Sequence, residues 1–457
     1  MTISQKIAYK KTISNLLSLP KYGNGIGLHR FYVLAEMWNI DLNFFKSRTI
    51  HVTGSNGKGS VSKFTDNLLQ GAGLNVGLFT SPHILRFNER IRYNGCEISD
   101  EELIYYSSSA LEIRDKYESI YIGDTVGAFE IFTLIATKYF YEKEIDVLVA
   151  EAGIGGRFDT TKCFGGYFAA LVSLDYEHTK LLGNTLEEIG YEKSDVVNSE
   201  STLVLGNFTQ KITRKLEAYN RSKGTKTLLF GKDFEVHSIA GEGNARKICI
   251  KLYDQLVEGY LSLAGSFQEH NVGVAVALSL SWLMKNHKDK VSHYINTAEE
   301  SLANTEWHGR LETISSSPNI TIDVGHSPGA ITVALKSYAE LNNIDLDSKD
   351  FGILVVGVSR NKKVREILQI LSPKFSHIIC TRAYHMGEDP KVIALHVREE
   401  NKTATIKVMS TIEESVNYSI KVSKDCGKPI YVAGGLFLAV EYWQAFKNNS
   451  PQDLIFF

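Results

Sequence analysis

Residues 54–60 read Gly54-Ser55-Asn56-Gly57-Lys58-Gly59-Ser60, between a short strand-like run, RTIHV (48–52), and a helical stretch, VSKFTDNLLQGAG. Glycines at such a junction let backbone N–H groups converge on phosphate oxygens, and the helix start adds unpaired donors and a favourable dipole. Lys58 can bring its ammonium to the β- and γ-phosphates of a nucleotide, and Ser60 can offer a hydroxyl to magnesium or phosphate. The spacing departs from the general G-x-x-x-x-G-K-[ST] loop. Val52 stands where the first glycine belongs, and the hydroxyl residue follows the lysine by two places. The pattern points to a protein that uses ATP.

Other reactive groups sit at the ends of apolar runs. Glu151 directly follows VLVA. A lone carboxylate buried there would be costly, so a cation is expected beside it. Magnesium shared with phosphate oxygens suits such an oxygen donor. The next turn, GIGGRFD, brings backbone close to a ligand, and Arg157 could neutralise its charge. Asp175, Glu177 and His178 follow FAALVSL (168–174) in the equivalent position. Imidazole is an unusual magnesium ligand, so His178 by itself is open between ligand and ordinary histidine. Lys193, in the helical EEIGYEKSD, reads on its own chemistry as a solvated lysine.

The elements that must carry these groups alternate. Helical spacing over 8–45 is interrupted by a turn at Gly23–Gly27, and NVGLFT (75–80) reads as a strand. AFEIFTLIATKYFYEK (128–143) reads as a helix and IDVLVA (145–150) as a strand. Such alternation indicates a mostly parallel sheet covered on both faces. Residues 201–263 are richer in strands, and GSFQEHNVGVAVALSLSWLMKN opens a helix. Residues 295–310 read as polar and less regular, which puts a boundary near Asn304. TIDVG, FGILVVGV, HIICT and PIYVAGG then give short strands of a second, smaller α/β domain. The expected domains are 1–304 and 305–457.

A chain of 457 residues is too long for one comfortable core. Hydrophobic residues at 43% and charged residues at 22% are an ordinary globular balance, and a net charge of −2 gives no electrostatic footprint for nucleic acid. The five cysteines are widely spaced, with no C-x-x-C pair, which favours a reducing compartment. The first residues lack the apolar core of a secretory signal, and no apolar run reaches membrane-spanning length. A cytoplasmic monomer that touches neither membrane nor nucleic acid is expected.

Taken together, the segments resemble the folylpolyglutamate synthase/dihydrofolate synthase family within the Mur-ligase group. GNGIGLHRFYVLAEMW, HVTGSNGKGSV, TSPHILRFNERIRYNGCEIS, AFEIFT, EAGIGGRFDTT, EHTKLLGNTLEEIGYEKSDV, GSFQEHN, HGRLE and DVGHSPGA occur in family order across nearly the whole chain. This form of the loop also explains its shifted spacing. The resemblance implies an α/β fold: a three-layer ATPase domain with a phosphate loop, followed by a smaller Rossmann-like domain. It implies that ATP phosphorylates a substrate carboxylate and that the amino group of L-glutamate attacks the acyl phosphate. The carboxylate would belong to dihydropteroate or to the γ-position of a reduced folate.

Carried over by position, Gly54, Asn56, Gly57, Lys58, Gly59 and Ser60 resemble the phosphate contacts. Ser60, Ser81, Glu151 and His178 resemble the Mg2+ site, and Lys193 matches a lysine that relatives carry as a carbamate. Asn271, Arg310, Asp323 and His326 resemble nucleotide-side residues. Pro82, His83 and Arg157 resemble substrate contacts, and Lys58, Ser81, His178 and Lys193 would serve the chemistry. The chain departs from the family pattern at Glu177, Asp195, Phe267, Val324, Gly325 and Ser327, and carries VAGG (432–435) in place of V-T-G-S. Those departures bear on the identity of the acceptor more than on the use of ATP.

Overall fold

The structure, a computed structural model, describes residues 3–240, 246–360 and 362–456; residues 241–245 of the strand-rich 201–263 stretch lie outside the described residues. The first of three sheets contains β1 (Thr49–Thr53), β2 (Val76–Phe79), β3 (Ile91–Tyr93), β4 (Cys96–Glu97), β5 (Val147–Glu151), β6 (Phe168–Leu171), β7 (Thr202–Leu205) and β8 (Lys226–Leu229). Their order is β4-β3-β2-β5-β1-β6-β7-β8. Only the β2–β3 and β3–β4 pairs are antiparallel.

Every residue of β1, β2, β5 and β6 is buried. This follows from helices on both faces, because a parallel strand at the centre has no solvent side. Alternate residues serve the two faces. Val147 and Val149 join the core under helices 58–71, 267–286 and 291–303, whereas Leu148 and Ala150 join the core under helices 100–120 and 128–142. The result is three layers.

A second sheet, β9 (Phe234–Ala240), β10 (Arg246–Leu252) and β11 (Gln255–Leu261), is antiparallel and leans on helices 267–286 and 291–303. The third contains β12 (Glu312–Ser316), β13 (Asn319–Ile322), β14 (Ile353–Val356), β15 (His377–Cys380), β16 (Thr405–Val408) and β17 (Ile430–Ala433), in the order β12-β13-β17-β14-β15-β16. It is parallel except for β12, with apolar cores on both faces.

One expectation is corrected. Residues 295–310 are not uniformly irregular: a helix, Val291–Ala303, runs through most of their first half. It buries only Tyr294, Ala298 and Leu302, each one turn apart, and exposes polar residues elsewhere. That single narrow stripe is why the segment reads as polar. The irregular connection to β12 is confined to 304–311.

The glycine-rich turn near the start also has a physical reason. Arg30 is 1% exposed and pairs with Asp124 at 2.7 Å and Glu130 at 2.9 Å. A Cβ at Gly27 would lie 2.0 Å from Glu130 Oε1. The turn is therefore wrapped around a buried ion cluster that leaves no space for a side chain.

Candidate active site

The carboxyl ends of β1, β2, β5 and β6 lie along one edge of the first sheet, the edge where parallel α/β folds hold ligands. This brings together residues 54–60, Ser81, Glu151 and the 175–178 segment.

The phosphate loop is built against β6. Ser55 N–H donates to Ser173 O at 2.9 Å, and Asn56 N–H donates to Ser173 Oγ at 2.8 Å. Ser173 Oγ donates in turn to Asn56 O at 2.8 Å. Gly57 has φ +82° and caps the helix beginning at Lys58; a Cβ there would sit 2.6 Å from Asn271 Oδ1. At Gly54, φ +145°, a Cβ would sit 3.0 Å from Ser173 N, and at Gly59 it would sit 2.8 Å from Trp307 Nε1. The glycines are thus required by left-handed backbone and by crowding. Lys58 Nζ folds back onto Gly54 O at 2.9 Å. The buried Ser60 accepts from Gln268 Nε2 at 3.4 Å, and Gln268 accepts from Asn271 Nδ2 at 2.8 Å.

Glu151 ends β5 with 4% exposure and accepts from Ser81 N–H at 3.3 Å. Burial pushes its carboxyl up to about 7, against the pull of Lys58, the Ser81 amide, Arg310 and Arg90. It forms no direct ion pair among the described residues. Arg310 is likewise without a direct ion pair there. Burial lowers its pKa, opposed by Asp323 and Glu151. Asp323 accepts from Leu311 N–H at 3.0 Å and Gly325 N–H at 2.7 Å; burial raises it nonetheless.

Lys193, whose chemistry alone suggests a solvated lysine, is 2% exposed. Its Nζ donates to Glu177 Oε1 at 3.0 Å and Gly54 O at 3.2 Å. Burial lowers its pKa more than Glu177 restores it. For Glu177 the balance is reversed: burial would raise it, and Lys58 and Lys193 bring it below the usual range. The departure at Glu177 therefore keeps a carboxylate on the loop lysines. His178 has left-handed backbone, φ 46°, at the start of a short helix. Solvent reaches its ring, yet partial desolvation lowers it, as do Lys362, Lys193 and Lys58.

Across the cleft, the ends of β13 and β17 supply Asp323, His326 and the two glycines 434–435. His326 is exposed, yet neighbouring groups crowd its ring so that desolvation, aided by Lys362, lowers it to about 4. Ser327 Oγ donates to Asp175 Oδ2 at 3.0 Å, joining the two edges, and also caps helix 328–341. Val324 is core and Gly325 serves Asp323 through its amide. Phe267 packs on the core of the third sheet.

His83 is buried, and its Nδ1 accepts from Arg90 Nε at 2.8 Å. Pro82 beside it is exposed. Arg157 is not in the Glu151 cluster. Its Nε donates to Asp195 Oδ2 at 2.7 Å, and Asp195 also binds Lys223 and Tyr219. The departure at Asp195 thus occupies the arginine. Arg90 is a site residue that the sequence does not single out. It is buried, lies over the rings of Phe87 and Phe132 at 5.3 and 5.4 Å, and has no direct carboxylate partner among the described residues. Its place in the FNERI segment, within the TSPHILRFNERIRYNG stretch that carries the family resemblance, was the available signal.

Among the described residues, no group of three or more His, Cys, Asp or Glu could hold a metal by itself. A buried carboxylate without an ion pair, held by the Ser81 amide at the strand edge that also carries the phosphate loop, is instead a partial oxygen set that fits Mg2+ completed by phosphate oxygens. Among these residues, no helix is long and apolar enough to cross a membrane.

The chain resembles known proteins over nearly its whole length. The folylpolyglutamate synthase of Lacticaseibacillus casei is 26% identical over 432 residues, covering 94% of this chain and 97% of that protein. The chain belongs to the folylpolyglutamate synthase/dihydrofolate synthase family of the Mur-ligase superfamily. The dihydrofolate synthase/folylpolyglutamate synthase of Bacillus subtilis is 34% identical over 294 residues, 62% of this chain and 65% of its own length. The Mur ligase glutamate ligase domain matches residues 309–435. A solved FPGS–AMPPCP–folate complex superposes with a TM-score of 0.79 at 25% identity, covering 94% of this chain and 98% of that one. The α/β architecture is that of Mur-type ATPases, and the family chemistry is that of ATP-dependent acid–amino-acid ligases.

Proposed function

We propose that this chain joins L-glutamate to the carboxylate of dihydropteroate, or to the γ-carboxylate of a reduced folate, using ATP and an acyl-phosphate intermediate. The observation that carries this reading is one cleft holding a preformed phosphate loop, a buried ion-pair-free carboxylate at Glu151, and two cations, the buried Arg90 and the part-buried Arg310. A carboxylate is a poor acylating group, and transfer of the γ-phosphoryl to it supplies a leaving group. The attacking glutamate amine then forms the amide bond and phosphate departs.

The roles follow from the positions. Gly54, Asn56, Gly57, Lys58, Gly59 and Ser60 cradle the phosphates of ATP. Ser60, Ser81, Glu151 and His178 would hold Mg2+, which supplies charge neutralisation at the transferred phosphoryl group. Lys193, as an amine or a carbamate, orients the same region through Glu177 and Gly54. Asn271, Arg310, Asp323 and His326 face the nucleotide side, and Pro82, His83 and Arg90 face the carboxylate substrate. The units 1–304 and 305–457 would close on the nucleotide and exclude water from the acyl phosphate. All five cysteines are free, which supports a reducing, cytoplasmic setting.

A second reading, a related ligase with a different carboxylate substrate, is favoured by Gly435. Its φ of +152° is a backbone that L side chains rarely adopt, so the usual serine would be strained there even though only His326 Cβ, at 3.7 Å, lies near; the turn beside His326 is shaped for glycine. Product masses decide between them. Purified protein with ATP, Mg2+, L-glutamate and either dihydropteroate or tetrahydrofolate should give one or more added glutamyl units. No product with either acceptor, beside an active control enzyme, overturns the folate assignment.

A further inference from the structure

The TSPH loop touches a segment from the far end of the sequence. His83 Nε2 lies 2.7 Å from the carbonyl oxygen of Ile455, a residue 372 positions away. Because Arg90 Nε donates to His83 Nδ1 at 2.8 Å, Nδ1 must be the acceptor nitrogen. A neutral ring then carries its proton on Nε2 and donates it to Ile455 O. One backbone carbonyl thereby fixes the tautomer and the ring plane of His83, and His83 fixes the guanidinium of Arg90.

The carbonyl is itself held in place from both sides. Phe456 is 8% exposed and packs against Phe437 at 4.8 Å between ring centroids and against His385 at 5.3 Å. His385 sits on a loop whose backbone N–H groups, at Tyr384 and His385, donate to the buried Glu441 at 2.6 and 3.0 Å. Ile455 packs on the core that contains Phe87, and Leu454 on the core that contains Ile84. Residues 454–456 therefore bridge the third sheet and the 81–90 segment of the first.

We propose that residues 454–456 are a positioning strap for the carboxylate substrate, in which docked Phe456 presents the Ile455 carbonyl to His83 and so aims Arg90 into the cleft beside Glu151. Ile455 and Phe456 touch no reacting atom; they act through His83 and Arg90. Arg90 needs such a guide. Its planar fork recognises a carboxylate only in a fixed orientation, and no acidic side chain holds it directly among the described residues. The strap also makes the substrate end of the cleft depend on the seating of the third sheet, while the phosphate loop is held by Ser173, Lys193 and Gln268, none of them in that sheet.

This inference rests on the ligase reading for its kinetic arm and is independent of it for its structural arm. Phe456→Ala should release the strap. The KM for the folate or pteroate acceptor should rise about tenfold, as expected when a hydrogen bond aligning a charged group is lost, with the KM for ATP within about twofold of wild type. Phe456→Leu, which keeps apolar volume, should recover most of the acceptor KM. A chain ending at Leu454, which removes the carbonyl itself, should show at least the effect of Phe456→Ala. The structural arm is amide hydrogen exchange without ligands: residues 83–90 should exchange faster in Phe456→Ala, and the amides of 55–60 should not. An unchanged acceptor KM in both the substituted and the shortened chains overturns the proposal. So does unchanged exchange at 83–90, or an equal rise in both KM values that Phe456→Leu does not relieve. Wild-type protein that forms no glutamyl product would refute the ligase reading and leave the exchange experiment to judge the strap.

Discussion

Glu151→Gln should make the metal-free protein more stable at alkaline pH while abolishing its turnover. Burial lifts the Glu151 carboxyl from 4.5 to about 7, even with Lys58, Arg310 and Arg90 nearby. Below about pH 4.5 the group is protonated in the folded and unfolded chain alike, and it costs nothing. As pH rises through 7 the folded protein must ionise a carboxyl that the unfolded chain ionised more easily. The stability present at low pH is lost over that window. A carboxyl that ionises one pH unit later in the folded chain than in the unfolded one costs roughly 1.4 kcal/mol, so the loss here approaches about 3 kcal/mol by pH 8. Glutamine has the shape of the protonated form and escapes the loss. Urea unfolding of wild type and Glu151→Gln in EDTA, at pH 5, 6, 7 and 8, measures the difference. The two should differ by no more than about 1 kcal/mol at pH 5, and the variant should be the more stable by about 3 kcal/mol at pH 8. In wild type, Mg2+ with a non-hydrolysable ATP analogue should restore stability at pH 8 by giving the carboxylate a cation; in the variant it should restore much less. A stability difference that does not change with pH, or a variant that retains ligase turnover, would refute the reasoning.

Lys193→Ala should lose most product formation, with partial recovery on adding acetate; in 13C-bicarbonate the wild type should show a carbamate carbonyl signal that the variant lacks, and a signal of equal strength in both would rule out Lys193 as its source. The lowered pKa of the buried amine is what permits attack on CO2. Gly57→Ala should destabilise the protein by about 1–2 kcal/mol through its left-handed backbone and weaken nucleotide binding at least tenfold, because its Cβ would meet Asn271 Oδ1 at 2.6 Å; urea unfolding and calorimetric titration with ADP check the two expectations against wild type. Arg30→Leu should cost about 3–5 kcal/mol, since Glu130 would remain buried without its partner; a urea midpoint near that of wild type would show that the cluster contributes little.

The parallel centre of the fold was legible because β5 and β6 are buried on both faces and so read as apolar runs, VLVA and FAAL, while β1, TIHVT, was legible from the glycine-rich loop that ends it. The exposed β16 and the two-residue β4 carry no such run, because an edge strand needs no second apolar face. The helix 291–303 hid behind its three-residue stripe. In the site, the phosphate loop announced itself through glycines that crowding and positive φ require. Lys193 did not: its burial depends on Gly54 and Glu177, groups 139 and 16 positions away, and helical spacing says nothing of such partners. Arg157 reads from the sequence as free to neutralise a ligand, and its pairing with Asp195, 38 positions on, is a partner that spacing does not reveal. Arg90 needed the knowledge that Phe87 and Phe132 enclose it.

The contact between His83 and Ile455 closes a loop of 372 residues. Such a closure gives nothing back until nearly all the intervening chain is ordered, whereas the phosphate loop meets Ser173 only 117 positions downstream. The two ends of the cleft therefore differ in age during synthesis. The phosphate cradle, which reaches as far as Gln268 and Asn271, can assemble while the third sheet is still being made, but the carboxylate end waits for residues 454–456. A partly made chain holds the means to grip phosphate before it holds the means to orient anything for phosphorylation. Order of assembly thus separates binding from reaction without a dedicated inhibitor.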